Sequence, residues 1–555
     1  MPQDRTTPGF NSRRNFLRAG LATTLATAAT PALAAARTRD SAVSHDLASA
    51  NDTARPFELD ELTIDDLRQG MQSGKYSSRS LTEKYLARIQ EIDKAGPAIN
   101  AVLEVNPEAL EIAEALDRER KDKGARGPLH GIPILIKDNI DTGDRMQTTA
   151  GSLALVGSSA AKDAFVAAQL RKAGAVLLGK TNLSEWANLR SSHSTSGWSG
   201  RGGHTRNPYA LDRNACGSSS GTGAAVSANL CAAGVGTETD GSVVCPSSVN
   251  GLAGMKPTLG LVSRAGIIPI AHSQDTSGPM ARTVRDVAIM LGAMAGVDPE
   301  DAATAASAGK GEPDYTKFLD PKGLKGARIG VVRKYFGFND AVDQLMSQRI
   351  DDMKRAGAEI VDPADIPTLG KFDDSELLVL LYELKADLAA YLARRGNTAV
   401  KSLQDVIDFN NKHSATEMPY FAQDLMVKAQ EKGPLTTQEY VDALANNHKL
   451  SRGEGIDFVM DKFKLDALVA PTGGPAFVTD LINGDHSAGG SSNAAAVAGY
   501  PNINVAAGSL SGLPVGISFF GRAWSEPALL RIAYGFEQLT KARQKPMFLS
   551  TIRLA

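Results

Sequence analysis

Two positions in this 555-residue chain, a cluster of three serines and a single serine further on, could support acyl-transfer chemistry. Residues 217–221, GSSSG, fit the G-x-S-x-G pattern, which presents a nucleophilic serine on a tight turn between a strand and a helix. That turn must follow a hydrophobic strand, yet the preceding "RNPYALDRNAC" is polar and rich in turn-forming residues. The downstream histidines, His272 among them, lie in no distinctive setting. The context therefore argues against Ser219 as a nucleophile.

The second position is a single serine, Ser242, in "GVGTETDGSVVCP". An apolar stretch leads into a turn rich in glycine and threonine, where the backbone N–H groups of Thr239, Asp240 and Gly241 could hold the oxyanion of an acyl-transfer reaction. A serine hydroxyl is a weak nucleophile and needs a base. No histidine occurs nearby, and Lys137, at the end of the buried strand pattern "GIPILIK", is the base that the sequence offers.

A lysine acts as a base only when it has lost its proton. A free lysine has a pKa of about 10.4, and burial lowers that value by several units. We therefore expect Lys137 to be buried and neutral. A serine of the 218–220 cluster could bridge it to Ser242 by hydrogen bonds.

Other patterns in the chain do not indicate a cofactor. Residues 174–181 match the phosphate-binding pattern G-x-x-x-x-G-K-[ST], but a strand pattern lies between the two glycines, where that motif needs a bare loop. The eight histidines show no metal-ligand spacing. The sequence thus predicts neither a metal site nor a cofactor.

Helix and strand patterns alternate along the chain, which predicts a layered α/β fold. Leu81, Tyr85, Ile89 and Ile92 recur at helical spacing, and residues 132–136 and 175–178 resemble buried strands. A charged, helical stretch over about 300–450 is expected to be an insertion. The strand pattern then resumes, which predicts one domain over 58–550.

The amino-terminal residues predict export. Arg13 and Arg14 precede an apolar stretch too short to span a membrane, and Ala32 to Ala34 offer a small-residue cleavage site. We expect residues 1–34 to be a signal for the twin-arginine export machinery, residues 35–57 to be a linker, and the protein to be periplasmic or secreted.

Charge and cysteine content narrow the possible partners. The net charge of −2 gives no indication of nucleic acid or of an anionic membrane, so a small-molecule or short peptide partner is expected, with no stable membrane anchor. The three cysteines are an odd number. We therefore expect them to be packing residues and not a disulfide framework.

Three stretches resemble the amidase signature family: "LHGIPILIKDNI", "CGSSSGTGAAVSANLCAAGVGTETDGSVVCP" and "NGLAGMKPTLGLVSRAGIIPIAHSQDTSGPMARTVRDVA". The resemblance implies an α/β/α sandwich around a large central mixed sheet. It also implies a Ser–Ser–Lys triad of Ser242, Ser218 and Lys137, since the spacing between the serines selects Ser218 within the cluster. The family pattern further implies a cis peptide bond between Gly217 and Ser218.

The commonest turn of the family is T-D-T-G-G-S, whereas this chain has Asp240 where that turn has its first glycine. With other stretches, this change makes the chain most similar to the peptide amidase branch, whose members release ammonia from C-terminal peptide amides. The alternatives are a lipid-amide, aryl-amide, carbamate or ester hydrolase, an amidotransferase subunit, or a binding protein without activity. Four further expectations concern the surroundings of the site: an Arg264–Asp275 pair that braces it, a structural Lys256, a structural His272, and packing roles for Trp186, Trp198 and Trp524.

Overall fold

One mixed sheet of eleven strands forms the centre of the computed structural model, which describes residues 56–553. The strands are β1 (Val102–Val105), β2 (Pro133–Lys137), β3 (Val176–Thr181), β4 (Trp198–Ser199), β5 (Gly203–His204), β6 (Ala233–Glu238), β7 (Ala253–Lys256), β8 (Thr276–Ala281), β9 (Arg328–Val331), β10 (Glu359–Val361), β11 (Ala467–Pro471), β12 (Asn502–Leu510) and β13 (Leu513–Phe520). Their order is β1-β3-β2-β6-β8-β7-β12-β13-β11-β9-β10, and β4 and β5 form a separate ladder.

Sixteen α-helices accompany the strands within the described residues. They are α1 (Ile64–Gln72), α2 (Ser78–Arg88), α3 (Ala109–Lys123), α4 (Phe165–Lys172), α5 (Ser220–Ser227), α6 (Val244–Val249), α7 (Val284–Met294), α8 (Asp340–Arg355), α9 (Asp373–Arg395), α10 (Leu403–Lys412), α11 (Ser414–Glu417), α12 (Asp424–Gln430), α13 (Gln438–His448), α14 (Asp457–Phe463), α15 (Asn493–Ala498) and α16 (Glu526–Thr540). The predicted apolar stripe of α2 and the turn after it is buried throughout. None of the helices from residue 56 to residue 553 is long and apolar enough to cross a membrane.

Both faces of the sheet are covered, as successive residues of β11 show. Ala467 and Val469 belong to the largest hydrophobic cluster, whereas Leu468 and Ala470 belong to a separate one. Since neighbouring side chains of a strand point to opposite faces, each face packs against its own layer. The predicted α/β fold with a large mixed central sheet is confirmed.

The strand order brings the catalytic candidates to one edge of the sheet. β2 lies between β3 and β6 and is parallel to both. The carboxyl ends of parallel neighbours meet at the same edge, so the end of β2 at Lys137 adjoins the loop that follows β6. All five residues of β2 are buried. Lys180, the lysine of the rejected phosphate-binding pattern, lies inside β3 and is also buried.

The region 300–450 differs from the predicted helical insertion. β9 and β10 lie within it and form one end of the central sheet, with β9 parallel to both β10 and β11. The purely helical part is therefore shorter, from α9 to α13. The sequence patterns missed β9 and β10 because they are only four and three residues long.

The predicted signal, residues 1–34, lies outside the described residues, as does the predicted linker except for residues 56 and 57. Phe57 is already part of the folded unit, because its ring packs edge-on against Tyr85. The predicted linker therefore extends too far by at least one residue.

The prediction that the cysteines form no disulfide was wrong. Cys216 and Cys245 are bonded to each other, and Cys231 is free and buried. An odd count still allows one pair. Cys216 lies in the loop before α5, and Cys245 lies in the first turn of α6, directly after the loop that carries Ser242. The fold brings these two loops side by side, so the two cysteines can bond. The disulfide therefore links the two segments that carry Ser218 and Ser242.

Removal of this disulfide should destabilise the protein. The bond closes a segment with a sequence separation of 29 residues, and a cross-link of that length stabilises a fold by about 3–4 kcal/mol. We expect the Cys216→Ala/Cys245→Ala variant, or the reduced wild type, to unfold at lower urea concentration. Cys231→Ala is the control and should keep the wild-type response to reductant. An unfolding midpoint that does not move on reduction would contradict the assignment.

Candidate active site

Lys137 ends β2 with its amine fully buried and surrounded by three oxygens. Its Nζ lies 2.7 Å from Ser218 Oγ, 2.8 Å from Thr237 Oγ1 and 3.2 Å from the carbonyl oxygen of Thr237. A neutral amine suits this arrangement, because its two N–H bonds can serve Thr237 while its lone pair accepts the hydrogen of Ser218.

The electrostatic surroundings of Lys137 favour that neutral form. Burial lowers the pKa of Lys137 to about 7, against the smaller opposing effects of Asp275 and Glu238. Desolvation disfavours the charged form of a lysine, and an adjacent carboxylate would restore it. A large share of Lys137 is therefore unprotonated near neutral pH.

Asn139 and Thr237 complete the surroundings of the amine, and the sequence patterns did not identify them. Asn139 Nδ2 donates to Thr237 Oγ1 at 2.9 Å, and this fixes the hydroxyl that lies against Lys137. Both residues stand inside the quoted motifs, Asn139 two positions after the lysine and Thr237 five before Ser242. A buried amine needs hydrogen-bond acceptors, and this requirement could have pointed to the threonine hydroxyl of the motif, at Thr237.

The structure separates the roles of the three clustered serines. The Gly217–Ser218 peptide bond is cis, as the family resemblance implies, and Ser218 is the serine that contacts Lys137. Ser219 instead forms a brace to β6, because its Oγ lies 3.1 Å from the carbonyl oxygen and 3.2 Å from the nitrogen of Thr237. Ser220 begins α5. Ser218 is therefore the clustered serine that lies against Lys137, and its role as the bridge stays a prediction.

Ser242 lies on the loop between β6 and α6 and keeps 7% of its surface exposed. Its carbonyl oxygen accepts a hydrogen bond from the backbone nitrogen of Ser219 at 3.2 Å, which joins the two loops. The hydroxyls of Ser242 and Ser218 are not hydrogen-bonded to each other within the described residues. Of the predicted triad contacts, the structure therefore shows the one between Lys137 and Ser218.

Glu238 shapes the turn before Ser242, and the sequence patterns gave no sign of it. Its carboxylate accepts backbone hydrogen bonds from Gly241 at 2.9 Å, Val243 at 2.7 Å and Val244 at 3.0 Å. The N–H of Gly241, which we expected to serve an oxyanion, is therefore occupied by Glu238. Gly241 has a φ of +76°, a conformation that a side chain would strain, so its glycine character serves this turn.

Three backbone N–H groups of the same turn stay available. Those of Thr239, Asp240 and Ser242 donate to no acceptor among residues 56–553. Adjacent free donors of this kind are what an oxyanion requires. Of the three predicted oxyanion donors, the N–H groups of Thr239 and Asp240 are therefore still available. The N–H of Ser242 is available as well, whereas that of Gly241 is not.

The predicted Arg264–Asp275 pair is not present. Arg264 is paired with Asp301, with Nη2 2.5 Å from Oδ1 and Nε 2.8 Å from Oδ2. Asp275 instead accepts the hydroxyl of Thr239 at 2.6 Å and the backbone nitrogens of Ile270 and Ala271. Asp275 therefore braces the turn through Thr239, without help from Arg264. The three donors to its carboxylate are all neutral groups.

The other predicted residues have the surroundings of structural groups. Lys256 is fully buried, and its Nζ donates to the carbonyl oxygen of Pro257 at 3.3 Å. Trp186 and Trp198 are buried, and Trp524 packs against the main core. These positions match the structural and packing roles we expected.

His272 lies with Glu383 and Asp387, and the ligand-type atoms of the three are within 4.8 Å of one another. The histidine contacts Asp387, whose hydrogen bond raises the pKa of His272, and Glu383 accepts from the backbone of Ser273 and the hydroxyl of Tyr440. These contacts connect α9 to the loop before β8. The absence of a metal site stays a prediction.

A cavity of about 240 Å³ opens between the loops that carry Ser218 and Ser242. Gly217, which precedes Ser218, lines one part of it, and Asp240 and Gly241, which precede Ser242, line another. The cavity therefore lies beside the chain segments that carry both serines. The remaining wall includes the disulfide and residues of the 472–492 segment.

Comparison with known proteins agrees with this geometry. The family model for amidases matches residues 80–530. A probable amidase of Arabidopsis thaliana is 42% identical over 503 residues, which cover 89% of this chain and 93% of that protein. A glutamyl-tRNA(Gln) amidotransferase component from Thermoanaerobacter pseudethanolicus is 33% identical, and the match covers 90% of this chain and 100% of that protein.

Among solved structures, the native peptide amidase of Stenotrophomonas maltophilia aligns with a TM-score of 0.85 and 49% identity. The alignment covers 89% of this chain and 100% of that one. A peptide amidase in complex with the competitive inhibitor chymostatin aligns with a TM-score of 0.86, at the same identity. The chain therefore belongs to the amidase signature family and is an amide-hydrolysing enzyme.

Proposed function

We propose that this enzyme hydrolyses the C-terminal amide of short peptides and releases ammonia. The observation that carries the mechanism is the 2.7 Å contact between the buried amine of Lys137 and the hydroxyl of Ser218. The 49% identity to the peptide amidase of Stenotrophomonas maltophilia supports the substrate class. A lipid-amide, aryl-amide, carbamate or ester substrate is the alternative, and the relationship to amidotransferases is the more distant one, at 33% identity.

In the first step, Ser242 Oγ attacks the carbonyl carbon of the amide. The proton of Ser242 passes to Ser218 while the proton of Ser218 passes to Lys137. The backbone N–H groups of Thr239, Asp240 and Ser242 stabilise the oxyanion that forms.

In the second step, the carbon–nitrogen bond breaks. Lys137 returns its proton through Ser218 to the leaving nitrogen, and an acyl-enzyme ester on Ser242 remains. Water then attacks this ester along the reverse proton route, which regenerates Ser242 and releases the free acid.

A C-terminally amidated dipeptide tests the substrate and the nucleophile together. We expect the wild type to release ammonia and Ser242→Ala to lose activity by about 10³-fold or more. Ser219→Ala is the matched control, because it removes a hydroxyl from the same region that only braces β6, and it should retain activity within about tenfold.

Two results would contradict this proposal in different ways. Loss of activity in Ser219→Ala but not in Ser242→Ala would show that the nucleophile is wrongly assigned. Silence of the wild type toward peptide amides, with turnover of an aryl or lipid amide, would reject the substrate class alone.

The pH dependence tests the lysine base. The pKa of Lys137 is lowered to about 7, and only the neutral amine accepts a proton, so kcat/KM should rise as pH increases through about 7 and level off above it for an N-acetylated peptide amide, whose own amino group cannot titrate. Thermal unfolding over the same pH range is the control, since it shows whether the loss at low pH reflects unfolding. A kcat/KM that falls steadily from pH 5 to 8, for a protein that stays folded, would exclude a lysine base.

We also propose that the protein is exported through the twin-arginine machinery. Arg13 and Arg14 support this proposal, and a disulfide is typical of proteins from oxidising compartments. We expect Arg13→Lys/Arg14→Lys to retain the protein in the cytoplasm, where cell fractionation with activity or immunoblot detection would find it. Unchanged periplasmic or secreted protein in that variant would contradict twin-arginine export.

A further inference from the structure

The cavity between the loops that carry Ser218 and Ser242 is lined by acidic residues but, among the described residues, by no basic ones. Its described lining includes two carboxylates, Asp240 and Asp485, and no lysine, arginine or histidine. We call it the acidic cavity. Its other polar lining is neutral and includes Asn188, Ser196 and Ser492.

Asp240 lies closest to the chemistry, one residue before Gly241 and two before Ser242. Its Oδ1 is buried and accepts no hydrogen bond within the described structure. The hydroxyl of Ser492 lies beside the Asp240 side chain, and Lys256 attracts it only through space, without an ion pair. Asp240 is therefore a carboxylate with an acceptor oxygen still unused.

The acids around Asp240 do not supply the missing partner. Glu238 and Asp373 act on it as like charges, and burial together with these charges raises the pKa of Asp240 to about 6. Burial, with the charge of Asp240, also raises the pKa of Glu376, so Glu376 is no positive partner for Asp240. Asp240, at the wall of the acidic cavity, therefore has no counter-charge among these neighbouring acids.

Asp485 adds a second negative group on a different segment. Its Oδ1 accepts the backbone nitrogen of Ser196 at 2.9 Å, which holds the carboxylate at the cavity. The neighbouring His486 lies 3.3 Å from Asp480 and does not line the cavity. Like Asp240, Asp485 has no salt-bridge partner in the part of the chain that the structure describes.

We propose that the acidic cavity selects peptide amides that carry a positive charge close to the scissile amide, either a free α-ammonium group or a basic side chain. This inference rests on the proposed function and adds a substrate class to it. An ammonium group in the cavity supplies the positive charge that Asp240 and Asp485 lack, and it can donate to Asp240 Oδ1 once the carboxylate turns that buried oxygen toward the cavity. An acidic side chain would instead be repelled.

The same charges act on the product. Hydrolysis converts a neutral amide into a carboxylate inside a cavity that already holds two carboxylates. Like charges in a partly desolvated site repel each other more strongly than they do in water. The acidic cavity therefore favours release of the acid product as well as entry of a cationic substrate.

Three peptide amides with the same sequence and a positive, neutral or negative amino-terminal group test the proposal: Gly-Phe-NH2, its N-acetyl derivative and its N-succinyl derivative. We expect kcat/KM to decrease from the cationic to the neutral to the anionic peptide, by about three- to tenfold at each step at low ionic strength. Added salt should reduce these ratios, because it screens partly exposed charges.

Variants identify the responsible carboxylates. Asp485→Asn and Asp240→Asn should each lower the ratio of kcat/KM for the cationic peptide to that for the acetylated peptide. Asp122→Asn makes the same change of charge at an exposed position of α3 outside the acidic cavity, and should keep the wild-type ratio and activity. A ratio near one in the wild type, or one that Asp485→Asn and Asp240→Asn both leave unchanged, would overturn the proposal.

Binding separates this proposal from the proposed function. The affinities of the three peptides for Ser242→Ala, measured by calorimetry, report the charge preference of the acidic cavity without turnover. If the wild type hydrolyses all three peptides equally and Ser242→Ala binds them equally, the function stands and the charge preference is wrong. If no peptide is hydrolysed but Ser242→Ala still binds the cationic one most tightly, the charge preference stands and the peptide amidase function is wrong.

Discussion

A buried lysine amine without a carboxylate partner is the constraint on which the rest of this site depends. Lys137 is completely enclosed at the end of β2, and its three contacts are a serine hydroxyl, a threonine hydroxyl and a carbonyl oxygen. These neutral partners stabilise the amine without fixing its charge. A carboxylate in any of the three positions would hold the lysine protonated and remove the base.

Nearby acids must therefore be satisfied by other groups, and the loops are built to do this. Glu238 accepts hydrogen bonds from three backbone N–H groups of the turn around Ser242. Asp275 accepts from the hydroxyl of Thr239 and from two backbone N–H groups of its own loop, those of Ile270 and Ala271. Each carboxylate is thus stabilised by donors that it also orients. The result is a turn whose unused N–H groups are already placed before substrate arrives, which is the condition for strong oxyanion stabilisation.

The sequence predicted those parts of the site that depend on local pattern. The apolar run before Lys137 predicted a buried strand, and the motif spacing selected Ser218, which contacts that lysine. The Cys216–Cys245 bond could not be predicted in this way, because it depends on how two loops approach each other in space. The contacts of Glu238 are local, but they depend on the conformation of an irregular turn, which periodicity does not specify. Short strands such as β9 fail for a related reason: four residues carry too little periodicity to be distinguished from a turn.

Asp240 presents the opposite problem to Lys137, because it places a carboxylate in the turn where negative charge would develop in the proposed mechanism. A glycine there would add no charge. The structure reduces the conflict by geometry: the side chain of Asp240 faces the acidic cavity, while backbone N–H groups stay free for the oxyanion. A cationic substrate group in that cavity would neutralise Asp240 before the oxyanion forms. The charge of the substrate would then act on the transition state as well as on binding, so a preference for cationic peptide amides belongs to the rate of acylation as much as to affinity.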